Sequence, residues 1–176
     1  MTDPNIDNKI QSIQDRYYQE NTKNRFFKKS QKMDCANKVL NEVGMNELIE
    51  RTVYYKEGTN MLVLNYPVFK TFATDDVCGP LTDYFIELLK YGKKYYNSID
   101  LRIDFDTLTI TGFERYKNFI KMSMSKISNK YDDVIKTCTI VNAPSFTGQI
   151  ISLFASIIGP TEFTDLQTKL YVISKK

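Results

Sequence analysis

The stretch Ile99-Asp100-Leu101-Arg102-Ile103-Asp104-Phe105-Asp106 alternates apolar and charged residues without a break. Successive side chains of a strand point to opposite faces, so this period of two predicts a β-strand with one apolar and one charged face. A charge held against an apolar ligand is strongly unfavourable unless paired. The face carrying Asp100, Arg102, Asp104 and Asp106 is therefore expected to be exposed or to line a polar pocket.

The flanking segments switch to helical spacing. Upstream, Leu81, Tyr84, Phe85, Leu88 and Leu89 form a stripe with Gly79-Pro80 at its entrance, and Asp75-Asp76 suit a helix N-terminus, which favours negative charge. Before them, residues 51–56 and 61–66 are β-type runs around Glu57-Gly58-Thr59-Asn60, which predicts a hairpin whose second ladder ends at Pro67. Downstream, Phe113, Tyr116, Phe119, Ile120, Met124 and Ile127 make another helical stripe. Residues 135–141 then predict a strand broken by Asn142-Ala143-Pro144. Ile150, Ile151, Phe154, Ile157 and Ile158 predict an apolar helix closed by Gly159-Pro160, and residues 169–173 a last strand.

At the other end, Asp3-Pro4 reads as a cap followed by proline at the first helical position. Ile6, Ile10, Ile13 and Tyr17 continue that helix, which fades near residues 21–24. A second helix is expected from about Ser30, with Met33, Ala36, Val39, Leu40 and Val43 on one face and a stop at Gly44. After these two helices the order is hairpin, helix, strand, helix, strand, helix, strand. Such alternation predicts an α/β fold with a mainly parallel sheet, right-handed crossovers and helices packed against it.

Composition narrows the chemistry. Of 176 residues, 42% are apolar and 26% charged, which marks a globular rather than a disordered chain. Histidine is absent, which excludes Ser-His-Asp and Cys-His catalysis and histidine-ligated metal. The seven glycines never cluster into a phosphate loop. Cys35, Cys78 and Cys138 are scattered, which argues against both a disulfide framework and a zinc site. No catalytic residues are expected, so the chain reads as a non-enzyme without metal or cofactor.

A net charge of +3 is too mild and too dispersed for nucleic acid. The densest basic cluster is Lys23, Arg25, Lys28, Lys29 and Lys32 around Phe26 and Phe27, read as a solvated helix junction or a patch for anionic lipid headgroups. With no signal-peptide core and no apolar run approaching about 18 residues, a cytoplasmic protein is expected.

From about Val53 onward the layout resembles the CRAL-TRIO family, which includes phosphatidylinositol-transfer and tocopherol-transfer proteins. The strongest local match is Tyr131-Asp132-Asp133-Val134-Ile135-Lys136-Thr137-Cys138-Thr139-Ile140-Val141-Asn142-Ala143-Pro144, which is similar to the family's Tyr-Pro-Glu-Arg stretch running into a strand that ends Asn-Ala-Pro. Lys56-Glu57-Gly58 before Met61-Leu62-Val63 resembles the family's Asp-Gly turn into its first strand. Thr168-Lys169-Leu170 resembles the Ser-Lys-Ile start of its last strand. Asp132 and Val134 stand where the family has proline and arginine, and the glycine usual after the central-strand aspartate is missing near Thr107.

The resemblance implies a minimal, C-terminally shortened CRAL-TRIO-like α/β domain over residues 51–176, a single structural unit, preceded by an N-terminal helical segment, residues 1–50, packed on its core. It also implies a non-catalytic lipid-binding or lipid-transfer module, peripheral to membranes. The bound amphiphile would lie beneath a gate helix, touching Phe146, Ile150, Leu153, Phe154 and Ile157. Asp133 and Lys169 fall where the family's phosphoinositide headgroup residues lie, the acid able to accept hydroxyl hydrogen bonds and the lysine to attract a phosphate. The expected partners are a phospholipid or other hydrophobic ligand and a transient membrane surface. The alternative is a CRAL-TRIO-like or STAS-like scaffold that binds a protein partner and no lipid.

Overall fold

A computed structural model describes residues 5–21, 28–127, 131 and 133–174. Along them run α1 (Ile6–Glu20), α2 (Lys28–Val43), α3 (Met45–Thr52), β1 (Val53–Tyr55), β2 (Met61–Asn65), α4 (Tyr66–Phe72), α5 (Asp75–Tyr96), β3 (Ile99–Asp104), α6 (Ile110–Ile127), β4 (Ile135–Ala143), α7 (Thr147–Ile158), α8 (Pro160–Lys169) and β5 (Leu170–Ser174). The five strands form one sheet in the order β1-β2-β3-β4-β5. β1 and β2 are an antiparallel hairpin, and β2, β3, β4 and β5 are parallel neighbours. The protein is thus an α/β fold with a mostly parallel sheet, as the alternating pattern predicts.

Strands added one after another by crossovers of one hand place their helices on one face. The sheet shows that asymmetry. On its covered face Val53, Leu62, Ile99, Leu101 and Cys138 are buried in one core with Phe72, Leu89 and Phe113 of α4, α5 and α6, and Ile140 is buried as well. Ile6, Ile10, Ile13, Val39 and Val43 of α1 and α2 join the same core. On the opposite face Met61, Val63, Asp100, Arg102, Asp104, Thr137, Thr139 and Tyr171 share the register, and none is buried. Val141, near the carboxyl end of β4, is the covered residue on that side. The charged side of β3 therefore faces outward. Asp100 accepts hydrogen bonds there from Asn60 and Thr137, and Asp104 from Asn142. Asp106 lies beyond the strand, in a turn where its backbone N–H donates to Asp104 Oδ1 at 2.8 Å.

Several elements differ from the sequence reading. Arg51 and Thr52, read as strand, are the last residues of α3, whose start coincides with Gly44 at φ +102°. Gly79-Pro80 lies inside α5 rather than at its entrance, and the helix starts at Asp75-Asp76, where negative charge is favoured. Pro67 does more than end β2: it sits in the first turn of α4, capped by the Asn65 side chain accepting from Val68 N–H. β4 runs through Ala143, with an irregularity at Asn142, φ +53°, in place of a break. Gly159-Pro160 both ends α7 and begins α8. On α2 Cys35 is buried while Met33 is exposed. The Asp3-Pro4 cap, the fading of α1 beyond Asn21, and Lys23, Arg25, Phe26 and Phe27 of the basic cluster lie outside the described residues; Lys28, Lys29 and Lys32 occupy the start of α2.

Candidate functional site

Asp133 and Lys169, the two headgroup residues that the resemblance singled out, lie at the amino ends of β4 and β5. α5 ends at Tyr96, Asn97 reverses the chain at φ +65°, and Ser98 leads into β3. There the Ile99 N–H donates to the Val134 carbonyl at 2.8 Å, and Asn60 Nδ2 to the Ser98 carbonyl at 3.2 Å. Asp133 precedes Val134 and is exposed. Its Oδ2 accepts from Lys93 Nζ, in the last turn of α5, at 2.9 Å. That hydrogen bond holds the Asp133 carboxyl below the usual carboxylate range, with the field of Lys169 a lesser contribution. Lys169 is the last residue of α8, one position before β5, rather than the first strand residue.

Lys93 is the member of this group that the sequence reading missed. It lies 40 residues from Asp133, and no local motif links the two. Cations favour the carbonyl end of a helix, which accounts for Lys93 and Lys94 in the final turn of α5. A carboxylate between two lysines, all solvent-accessible, can accept hydroxyls and attract phosphate oxygens.

The predicted apolar contacts form a second feature. Ile150 is buried, whereas Phe146, Leu153, Phe154 and Ile157 are half-buried against the core, with Phe146 at the N-cap of α7. Ile151, Ile158, Phe163, Leu166 and Leu170 also keep solvent contact, and Tyr171, Val172 and Ile173 of the edge strand β5 are exposed. Among the apolar residues of 146–174, Ile150 alone is fully buried. The N-terminal two-thirds is packed very differently, with buried residues on every element.

Among the described residues no three His, Cys, Asp or Glu side chains form a metal-holding group. No helix among them is long and apolar enough to cross a membrane. Cys35, Cys78 and Cys138 are free thiols, and burial pushes that of Cys138 up to about 12.

The fold and site define an α/β protein with an open polar sheet face, a Lys-Asp-Lys cluster at one pole and an under-covered C-terminal segment. Comparison with protein-family models and with curated proteins returns no match.

Proposed function

We propose that this chain is a non-catalytic lipid-binding or lipid-transfer module, cytoplasmic and peripheral to membranes, that holds an amphiphile against α7. The observation that carries the reading is the single fully buried apolar residue of 146–174, Ile150, in a segment whose α8 ends at Lys169. Apolar surface left in water is costly at roughly 25 cal/mol per Å², and an acyl chain lying along Phe154 and Ile157 would remove it. Lys169 and Lys93 would attract a phosphorylated headgroup while Asp133 accepts its hydroxyls. The CRAL-TRIO resemblance adds to this reading but rests on the sequence alone.

A second reading, a protein-interaction scaffold without lipid, is favoured by the edge strand β5. Its exposed Tyr171, Val172 and Ile173 offer an unpaired ladder to an incoming strand. Organic extraction of the purified protein followed by mass spectrometry separates the two. A stoichiometric amphiphile is expected; a stable, lipid-free protein that also takes up no lipid from vesicles would leave the scaffold reading in its place.

A further inference from the structure

The last turns of α5 carry a cluster of exposed tyrosines that the headgroup site does not use. Tyr91, Tyr95 and Tyr96 are 45%, 59% and 38% exposed. They are pre-assembled. The Tyr91 and Tyr95 ring centroids are 4.5 Å apart, and the half-buried Tyr55 of β1 lies 5.6 Å from Tyr91 and 5.5 Å from Tyr96. Tyr55 is itself anchored by its hydroxyl donating to the Leu88 carbonyl. Interleaved with the rings are Lys90, Lys93 and Lys94, the last with its Nζ 5.0 Å from the Tyr95 centroid. Of the acids at this pole, Glu87 is paired with Lys90, Asp133 is paired with Lys93 and within the field of Lys169, and Asp100 accepts from Asn60 and Thr137. Cations outnumber carboxylates, and the aromatic rings stand among them.

We infer that this pole is the surface by which the protein docks on an anionic phospholipid membrane. The inference rests on the lipid-binding reading above and names the face presented to the bilayer. The argument is complementarity of two kinds. Lysines near a negatively charged leaflet are attracted to its phosphates, and tyrosine partitions to the headgroup level, where its ring is apolar and its hydroxyl wet. Docking by this pole also brings Lys93, Asp133 and Lys169 to the headgroups, so cargo could pass between bilayer and site without the protein turning over.

The test is co-sedimentation of the full chain with phosphatidylcholine vesicles and with vesicles containing an equal share of phosphatidylserine. Binding to the anionic vesicles alone, weakening with added salt, is expected. Lys94→Glu combined with Tyr95→Ser should reduce that binding by about tenfold or more while leaving the melting temperature unchanged, because both side chains lie outside the core. Lys94→Gln alone serves as a milder variant with a smaller loss in the same direction. Vesicle binding equal in wild type and variant overturns the docking pole, as does wild-type protein that ignores anionic vesicles. Polyglutamate binding the wild type as well as anionic vesicles do would also overturn it, in favour of an acidic protein partner. Extraction of the same samples distinguishes the two readings. Retained amphiphile with no vesicle binding removes the pole alone, whereas vesicle binding without any amphiphile removes the cargo reading and leaves the pole.

Discussion

The hydroxyl of Tyr55, on β1, donates a 2.8 Å hydrogen bond to the Leu88 carbonyl, on α5, across the position where residue 92 has no side chain. A Cβ at Gly92 would lie 2.3 Å from the Tyr55 hydroxyl and 2.4 Å from Ile99 Cγ2. A mid-helix glycine costs helix propensity, so its presence here reflects this close approach. Gly92→Ala should destabilise the protein by about 1–3 kcal/mol, the range for overpacking, despite alanine's better propensity. Urea titration checks this. Adding Tyr55→Phe should recover only part of the loss, because the clash with Ile99 remains.

Thr107 lies at φ +61°, a left-handed conformation that a β-branched residue rarely adopts, and its hydroxyl accepts from Lys70 Nζ. Thr107→Gly relieves a conformational cost of order 1–2 kcal/mol and loses two exposed hydrogen bonds, the one accepted from Lys70 and the one donated to the Asp106 carbonyl. A rise in the melting temperature is expected. An unchanged or lower one would mean that the Lys70 contact outweighs the strain.

Ile150 and Phe154 lie four residues apart on α7 but differ in burial. Ile150→Ala should cost about 2–5 kcal/mol, as for a core isoleucine. Phe154→Ala should cost less in the lipid-free protein, despite removing a larger side chain, and should lower lipid uptake. Chemical denaturation and vesicle transfer read the two effects separately; a Phe154 cost above that of Ile150 would place it in the ordinary core.

Three groups shielded from water in whole or part set an alkaline limit. Burial raises the Tyr55 and Tyr66 phenols to about 12 from 10.0, and the Cys138 thiol to about 12 from 9.0. Each folded-state pKa lies above its unfolded value, so the stability they contribute is complete below about pH 9 and is lost as pH rises toward 12. The urea midpoint should fall across that window, and Cys138→Ala should flatten its lower part.

Lys169→Glu reverses a charge beside Asp133 and should weaken uptake of phosphorylated lipid in a vesicle-transfer assay. Fold stability should move by no more than about 0.5 kcal/mol. Equal transfer by both proteins would remove Lys169 from the headgroup site.

Much of this architecture is legible in local pattern, and the misses have physical causes. The alternation of β3 and the stripes of α1, α5 and α6 are long enough for periodicity to speak, and Asp75-Asp76 mark the true start of α5. By contrast α3, α4 and α8 span 8, 7 and 10 residues, too short for a stripe. Thr52-Val53-Tyr54 favours strand by composition, although Thr52 ends a helix. Pro67 and Pro160 each read as stops because proline both terminates one element and opens the next. Met33 and Cys35 exchange roles because burial on α2 depends on where α1 and α4 pack. Lys93 joins Asp133 because α5 continues past Leu89, the end of its apolar stripe, to Tyr96 and so reaches the start of β4.

The sheet's strand order is the same as the chain order. Each strand therefore pairs with the one synthesised just before it, and no strand has to be inserted between two already joined. A ribosome releasing this chain could assemble it as it emerges: the β1–β2 hairpin forms first, then β3, β4 and β5 are added in turn at a single growing edge. Contacts between chain neighbours keep loop-closure costs low and favour fast folding for a parallel sheet. The growing edge is an unpaired surface open to aggregation at every stage, and in the finished protein it is β5, at the side of the sheet away from the three-residue edge strand β1.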